Sequence, residues 1–443
     1  MMVSHSLLAQ PPAPPALPAQ SLSLRQAVDL VRQQNGEIRV AGYEARKADA
    51  KAEEVKRMSL PTLNGTVQYQ HNIKPPVFFF PAFSITPDGG FSFDDSRMTP
   101  VAAALRHQYN AGVNLGMPLI QPDLRIARQQ AGLGQKVAAE QRRAVVARQV
   151  AEVKKQYMNV LLADEQRRLL TRSIDRAEQA LREVRNLYRV QLATDADTLR
   201  AFVEVENLRP GLSKLDRTVR LLKAQLLVLM GLDASTNLLL TDSLTHELDA
   251  ALSEESAVGQ AWNRRPEVRQ LGLSMEASQL QTRLEQARRL PTLGLIGQAG
   301  TLTQLNNFNF SDSRWPFFSF IGLQLNIPIV NATTAPKIQQ AQAAYSQAQE
   351  QLRYSKALIA NEVKASLYTL EESRERIRTQ EGVIRAAERS YALTQSRYKQ
   401  GLTKFSDVTD AELALRQAQT TRLQAVYDYL TAKVDLERAT GEE

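Results

Sequence analysis

The sequence LPTL occurs twice in this chain, at residues 60–63 and again at residues 290–293. Each copy opens a run in which apolar and polar residues alternate, a pattern typical of a β-strand. The pair Ala27-Val28 recurs as Ala257-Val258 with the same spacing of 230 residues. A repeat at constant spacing predicts a fold that is built from two related halves.

Later matches between the two halves keep a spacing of 210 residues instead of 230. They are Met117-Pro118-Leu119-Ile120 with Ile327-Pro328-Ile329-Val330, Tyr188 with Tyr398, Asp197 with Asp407, and Gly231 with Gly441. The difference of 20 residues predicts an insertion in one loop of the first half, between Leu63 and Met117.

The repeat divides the chain into four predicted segments. Residues 1–20 are interpreted as the end of a secretory signal followed by a proline-rich linker. Residues 21–231 and 253–441 are predicted to be the two repeats, and residues 232–252 to join them.

Each repeat is predicted to contain two strands, over about 60–71 and 108–119 in the first and about 290–302 and 317–329 in the second. One face of each strand is aliphatic and the other is lined with amides, as in Leu63, Val67 and Tyr69 opposite Asn64, Gln68 and Gln70. Transmembrane β-barrel strands need this pattern, with lipid on one side and water on the other. Taken alone, each strand also fits the half-buried sheet of a soluble sandwich.

The helices favour the membrane alternative because they are too long to cap a small sheet. No proline interrupts the run from Pro122 to about Tyr188, which would span about 100 Å as a helix. Its apolar residues follow the 4-3 spacing of a coiled coil, and the run after Pro336 is equally uninterrupted. Four strands cannot close a barrel, and open edges are not tolerated in lipid, so membrane strands require an oligomer. The predicted fold is mainly α, with a small transmembrane β part.

Composition excludes several other classes of protein. The net charge of +8 is spread along the chain without blocks of like charge, so no nucleic-acid partner is predicted. The absence of cysteine excludes disulfides, thiolate chemistry and lipidation through an N-terminal Cys. The four histidines show no metal-ligand spacing and are expected to lie scattered in loops or on surfaces. We predict neither an enzyme nor a cofactor.

Residues 397–412, RYKQGLTKFSDVTDAE, carry the candidate site. Gly401 is predicted to form a turn between two helices. Asp407 and Asp410 follow it, as an N-cap and a first-turn acid of the second helix or, repeated around a symmetry axis, as rings of carboxylates that attract cations. Tyr398 continues a heptad, so a place in the helix seam is the alternative to a functional role.

In its order of elements and its duplicated motifs, the chain resembles the outer-membrane efflux protein family, the TolC-like channels. The resemblance covers about Ser21 to Gly441. It depends on LPTL at the start of a strand in both halves, on MPLI and IPIV where strands lead into long helices, and on YKQGLTKFSDVTDAE. It implies a homotrimer with a 12-stranded barrel in outer-membrane lipid and a tunnel of 12 helices across the periplasm. It also implies a passive exit duct of a tripartite efflux or type I secretion system, docked to an inner-membrane pump through a periplasmic adaptor.

The resemblance also implies roles for single residues at the periplasmic entrance, which opens in this family by an iris-like movement of helix hairpins. Asp407 and Asp410 match two aspartate rings, and Tyr398 and Asp197 match links that hold the entrance shut. Thr403 stands where some members have arginine, and Lys404 follows it as the candidate basic partner. The alternative interpretation is a periplasmic coiled-coil scaffold or adaptor without a membrane barrel.

Overall fold

The structure is a computed structural model that describes residues 20–85, 89–102, 104–245, 253–311 and 313–442. The expected signal remnant and most of its linker, together with His5 and His246, lie outside these residues. The helices are α1 (Leu24–Gln34), α2 (Gly36–Arg57), α3 (Pro122–Arg189), α4 (Asp195–Leu229), α5 (Glu254–Arg264), α6 (Pro266–Ala287), α7 (Thr334–Lys399) and α8 (Phe405–Thr440). The strands are β1 (Gln20–Leu22), β2 (Thr62–His71), β3 (Val77–Ile85), β4 (Phe91–Ala102), β5 (His107–Ile120), β6 (Leu238–Leu240), β7 (Thr292–Leu305) and β8 (Phe317–Asn326).

The chain divides into two compact units. The first contains residues up to 47, residues 136–273 and residues 349–443, and the second contains residues 48–135 and 274–348. The first unit is helical, apart from the short parallel pair of β1 and β6. The second unit contains the remaining strands and the helix segments that enter and leave them.

The helical unit is held together by apolar seams. Val153, Tyr157 and Val160 of α3 are fully buried, and they pack with Leu226 of α4 and Val31 of α1 in one cluster. Their spacing of four and three residues places them on one stripe of the helix, as the sequence predicts. Within the described residues, none of the helices is long and apolar enough to cross a membrane.

The helical runs over residues 24–57 and 254–287 are each broken into two helices, which the sequence did not predict. The breaks lie at Asn35 and Arg265, which are 230 residues apart and both have an extended ψ, 131° and 126°. Arg265 precedes Pro266, whose ring excludes the helical conformation of the residue before it. Asn35 caps the next helix instead, because its Oδ1 accepts a hydrogen bond of 3.1 Å from the backbone N–H of Ile38.

The second unit contains a four-stranded antiparallel sheet in the order β2-β5-β7-β8. Its register pairs odd-numbered residues with odd and even-numbered with even across all three ladders, except at one bulge after Pro118. One face therefore carries most of the aliphatic side chains, among them Leu63, Val67, Val113, Leu115, Leu295, Ile321, Leu323 and Leu325. The other face carries the amides Asn64, Gln68, Gln70, Gln108, Asn110, Asn114, Gln298, Gln304 and Gln324.

Two features of this unit were not expected. The segment interpreted as a loop between residues 72 and 107 contains a β-hairpin, β3 paired with β4. The prediction that the histidines lie in loops or on surfaces is wrong for His107, which is buried. His71 is exposed, but it lies in a strand and is the register partner of His107. Antiparallel register brings them together across 36 residues of sequence.

Candidate functional site

Two turns at equivalent positions join the long helices to their partners, the first turn over residues 190–194 and the second turn over residues 400–404. In each, a backbone N–H reaches five residues back: Leu192 to the carbonyl of Leu187 at 2.8 Å, and Leu402 to that of Arg397 at 3.0 Å. This geometry closes a helix C-terminus and needs one residue with positive φ. Gly401 supplies it in the second turn with φ of 75°, whereas Gln191 does so in the first turn with φ of 63°.

The helix that follows each turn begins with a capping acid. In the first turn, the Asp197 carboxylate accepts from the backbone N–H of Thr194 at 3.1 Å and from its hydroxyl at 2.7 Å. In the second turn, the Asp407 carboxylate accepts from the backbone N–H of Lys404 at 3.2 Å and from the Thr403 hydroxyl. Both aspartates are the third residue of their helices, so the two halves use the same device to start a helix.

Asp407 was expected as a possible N-cap, but the N-cap is Lys404 and α8 begins at Phe405. The helix starts earlier because the Phe405 side chain is buried in an apolar cluster and is fixed there. The hydrogen bond from Thr403, followed by that from the Lys404 backbone, holds the pKa of the exposed Asp407 carboxyl below its ordinary value. Asp407 is therefore ionised at neutral pH.

Asp410 differs from Asp407 in having no part in the cap. Its side chain is exposed. Within the described residues, it makes no hydrogen bond or ion pair. The Lys404 side chain is likewise exposed, although its charge contributes to the lowered pKa of Asp407. The structure thus leaves one carboxylate and one ammonium group of the second turn available to groups outside the chain.

The Tyr398 side chain combines an aromatic ring that packs against other residues with a buried polar hydroxyl. Its ring packs against Phe405 at 5.4 Å between centroids, at the margin of the apolar cluster. Its hydroxyl is buried and has no hydrogen-bond partner in the described chain. Burial, and then the nearby Asp197 carboxylate, raise the pKa of Tyr398 to about 12. The structure brings Tyr398 and Asp197 close, with the hydroxyl protonated and free to donate, but it does not join them by a hydrogen bond.

Beside these residues, the two helix pairs α3–α4 and α7–α8 are joined by the tip cluster and by ion pairs. The tip cluster consists of the buried residues Ala177, Leu181, Val184, Ala201, Val205, Phe405 and Val408. Lys399 Nζ lies 3.0 Å from Glu183 Oε1 close to the second turn. Further along, Glu412 is almost fully buried and pairs with Arg176 at 3.0 Å and with Arg416 at 3.3 Å.

Several of these residues were not predicted from the sequence. Gln191 could have been found, because it stands 210 residues before Gly401 and must adopt the same turn. The capping role of Asp197 could also have been read from the spacing of Thr194 and Asp197. The Glu412 pairs could not, because they depend on which helices become neighbours.

Comparison with known proteins identifies the family. Residues 78–232 and 257–442 match the family described as outer membrane efflux protein. The chain is 26% identical over 378 residues to the probable efflux pump outer membrane protein TtgC of Pseudomonas putida, covering 82% of this chain and 75% of that protein. It is 24% identical over 292 residues to the pyoverdine export outer membrane protein OpmQ of Pseudomonas aeruginosa, covering 64% and 59%.

Solved structures share the fold at low sequence identity. The outer-membrane channel OprN matches with a TM-score of 0.73 and 16% identity, over 95% of this chain and 90% of that one. The outer membrane protein VceC from Vibrio cholerae also matches with a TM-score of 0.73 and 16% identity, over 95% and 97%. These comparisons confirm the resemblance and, with it, an outer-membrane location, a periplasmic helical extension and a role as an efflux channel. The chain belongs to the outer membrane efflux protein family.

Proposed function

We propose that three copies of this chain form a trimeric exit duct, with 12 strands closed into a barrel in the outer membrane and 12 helices enclosing a periplasmic tunnel. The repeats of residues 21–231 and 253–441 would each supply two strands and one long helix with its partners. The observation that carries the proposal is the two-faced sheet of β2, β5, β7 and β8. Its aliphatic face is uncovered in the single chain, where Val67 is 89% exposed and Ile321 is 71% exposed.

The edges of the sheet support the same assembly. Strands β2 and β8 end the strand order, so each has one side without a partner in the described chain. An open edge in lipid leaves backbone groups unsatisfied, and pairing β2 of one copy with β8 of the next removes every edge. A barrel of this kind presents aliphatic residues to lipid and amides to water.

The partners follow from the family. Relatives are named as outer membrane proteins of efflux pumps. A duct of this type has no energy source of its own, so it requires an inner-membrane pump and a periplasmic adaptor that joins the two. Efflux and type I secretion both fit such a duct, and the pump selects the cargo.

A matched pair of variants tests the barrel. Leu323 and Gln324 are neighbours in β8 on opposite faces of the sheet. Leu323→Lys should block assembly in the membrane, because a lysine facing lipid costs about 2–4 kcal/mol at the bilayer midplane. Gln324→Lys should assemble and conduct ions in planar bilayers, since it faces water.

The readouts are the mass of the detergent-solubilised wild type, expected at three times 49.5 kDa, and its conductance. Equal tolerance of both lysines, together with a protein that is soluble and monomeric without detergent, would instead favour the scaffold or adaptor interpretation.

For the gate, we propose that the two turns close the periplasmic entrance and that Tyr398 and Asp197 hold it shut. The buried hydroxyl of Tyr398 without a partner supports this role, because a small shift of α4 against α7 would satisfy it. Tyr398→Phe should then raise the basal conductance while leaving trimer assembly intact. An unchanged conductance would leave Tyr398 with a packing role only.

We further propose that Asp407 and Asp410 of three copies form two rings of carboxylates at this entrance, with Lys404 as a basic partner and Gly401 making the turn. Capping and ring formation are compatible, since Asp407 uses one oxygen for the cap and remains exposed. Six carboxylates around an opening would concentrate cations there.

A further inference from the structure

Two helices of the helical unit, α4 and α7, carry large apolar side chains that the single chain leaves uncovered. Phe202 of α4 is 45% exposed and Tyr368 of α7 is 62% exposed. The other exposed apolar residues are Leu199, Val203, Leu221 and Val228 of α4 and Tyr354, Leu358, Val383 and Leu393 of α7. Exposed apolar side chains that recur along a helix indicate a surface that another molecule covers.

The internal repeat shows what covers the equivalent surface in the other half of the chain. A shift of 210 residues relates α3 to α7 and α4 to α8. Phe202 is thereby the counterpart of Glu412, and Tyr368 is the counterpart of Met158. Both counterparts are buried, because α3 packs against α8 across the boundary between the two halves. Equivalent positions are therefore covered within the chain on one side and uncovered on the other.

The contacts across the boundary within the chain supply a template. Arg176 of α3 pairs with Glu412 of α8 at 3.0 Å. Farther from the turns, Met158 of α3 shares a buried cluster with Val434 of α8. In a closed trimer whose six halves follow one another around an axis, three such boundaries lie within chains and three lie between them. By the repeat, α7 of one copy meets α4 of the next copy at each boundary between chains.

Near the turns, the counterpart of the ion pair is apolar. Ala386 stands at the position equivalent to Arg176, and Phe202 stands at the position equivalent to Glu412. Neither charge of the pair is therefore present at the positions that would meet between copies. The Phe202 ring would fill the space that the small Ala386 side chain leaves, and a large side chain opposite a small one favours close packing.

Farther from the turns, a second large side chain lies opposite a small one, with the two helices exchanged. Tyr368 of α7 is the counterpart of Met158, and Ala224 of α4 is the counterpart of Val434. Here α7 supplies the ring and α4 the methyl group. Two such pairs, with the rings on opposite helices, fix how α7 and α4 align along their length.

We propose that the exposed face of α7 packs against the exposed face of α4 in a second copy of this chain, with Phe202 against Ala386 and Tyr368 against Ala224. This inference rests on the proposed trimer and assigns the interface between its helices. At the level where the boundary within a chain is an ion pair, the boundary between copies is apolar.

The test uses paired cysteines, because the chain has none of its own. Ala365 and Gln225 are exposed and are the counterparts of Lys155 and Asp435, which form an ion pair between α3 and α8. Ala365→Cys/Gln225→Cys in the full-length protein in detergent, treated with a short bismaleimide, should give covalent dimers and trimers on a reducing denaturing gel. Neither single-cysteine variant should give them. The matched control, Lys155→Cys/Asp435→Cys, should crosslink within one chain and remain at the mass of a monomer.

A pair of charges tests the apolar contact itself. Phe202→Glu should lower the temperature at which the trimer dissociates, because it buries a carboxylate without a partner. Adding Ala386→Arg should restore that temperature, since the two changes rebuild the ion pair of the boundary within the chain. Val203→Glu is the control and should leave the temperature unchanged, because its counterpart Leu413 is exposed within the chain.

The outcomes separate this inference from the proposed trimer. A wild-type trimer whose paired-cysteine variant gives no covalent oligomer would overturn the inference and leave the trimer standing. Equal dissociation temperatures of Phe202→Glu and Val203→Glu would overturn it in the same way, and this comparison decides if the paired-cysteine variant does not fold. A wild type that is monomeric in detergent would instead contradict the trimer itself, and the interface with it.

Discussion

The two turns that join the long helices predict opposite effects of glycine at equivalent positions. Gln191 holds a left-handed conformation with φ of 63° that side chains disfavour, whereas Gly401 holds it with φ of 75° at no steric cost. Gln191→Gly should therefore stabilise the first turn, and Gly401→Ala should destabilise the second. The space around Gly401 is open, so the alanine side chain meets no other atoms and the cost lies in the backbone alone.

The left-handed conformation costs a residue with a side chain about 1 kcal/mol more than it costs glycine. Because 1.4 kcal/mol corresponds to a tenfold change in an equilibrium constant, about 1 kcal/mol changes local opening about fivefold. Hydrogen exchange of peptides over 187–195 and 397–405, read by mass spectrometry, measures this opening in the assembled protein. Exchange should slow about fivefold in the first turn of Gln191→Gly and quicken about fivefold in the second turn of Gly401→Ala.

Gly382 provides the control of opposite sign. It lies inside α7 with open space around it and without positive φ, so Gly382→Ala should stabilise the helix by about 1 kcal/mol. Slower exchange at the second turn of Gly401→Ala would refute the reasoning, as would faster exchange at the first turn of Gln191→Gly. Either result would mean that the backbone conformation does not govern the stability of the turns.

Three further predictions concern the fold and the site. Glu412→Gln should lower stability by about 2 kcal/mol, seen as a lower midpoint of thermal unfolding, because it removes a buried carboxylate that pairs with the half-buried Arg176 and Arg416, and within the described residues only Arg416 keeps another carboxylate partner, Glu204. An unchanged midpoint would contradict this. Gly300→Ala should lower folding stability by about 1–3 kcal/mol in the same measurement, because an added Cβ would lie 2.6 Å from a backbone oxygen of β5. Gly322→Ala should be tolerated, since nothing lies within 4 Å of an added Cβ there. Equal effects of the two variants would count against the close approach of β5 and β7 at Gly300. The pKa of the Asp407 carboxyl is lower in the folded protein than its ordinary value of 3.8. Asp407 therefore contributes fully to folding stability above pH 3.8, and this contribution is lost as the pH falls through the lower pKa of the folded state. Wild-type stability should therefore fall more on acidification than that of Asp407→Asn, and parallel curves would show that the cap does not depend on the charge.

Periodicity in the sequence predicted the long helices and the four-stranded sheet, because both extend over many residues and occur twice. The breaks at Asn35 and Arg265 were missed, although Pro266 gave a local signal for the second. Aromatic residues around 78–83 were interpreted as a loop, but they form one strand of the β3–β4 hairpin. The consecutive aromatic residues Phe78, Phe79 and Phe80 break the alternation of apolar and polar positions that identifies a half-buried strand.

The candidate site was predictable in its positions and less so in its contacts. Spacing between the two halves placed the turns and singled out Asp197, Tyr398 and Asp407. It did not show that α8 begins at Phe405, because that start depends on burial of the Phe405 side chain among other helices. The meeting of His71 with His107 depends on strand register, which the long connection between β2 and β5 conceals.

The central claim, that Asp407 and Asp410 line the entrance of a pore, is tested most directly by ion selectivity. The measurement compares the reversal potentials of the wild type and of an Asp407→Asn/Asp410→Asn variant under a salt gradient in planar bilayers. Asparagine at position 407 keeps an acceptor for the Lys404 backbone N–H, so the variant removes the charge and retains the cap. The wild type should select cations, and the variant should show a reversal potential shifted toward zero, while a control of equal charge, Glu44→Gln/Glu350→Gln, should not. An unchanged reversal potential in the aspartate variant would contradict the assignment of these residues to the entrance of a pore.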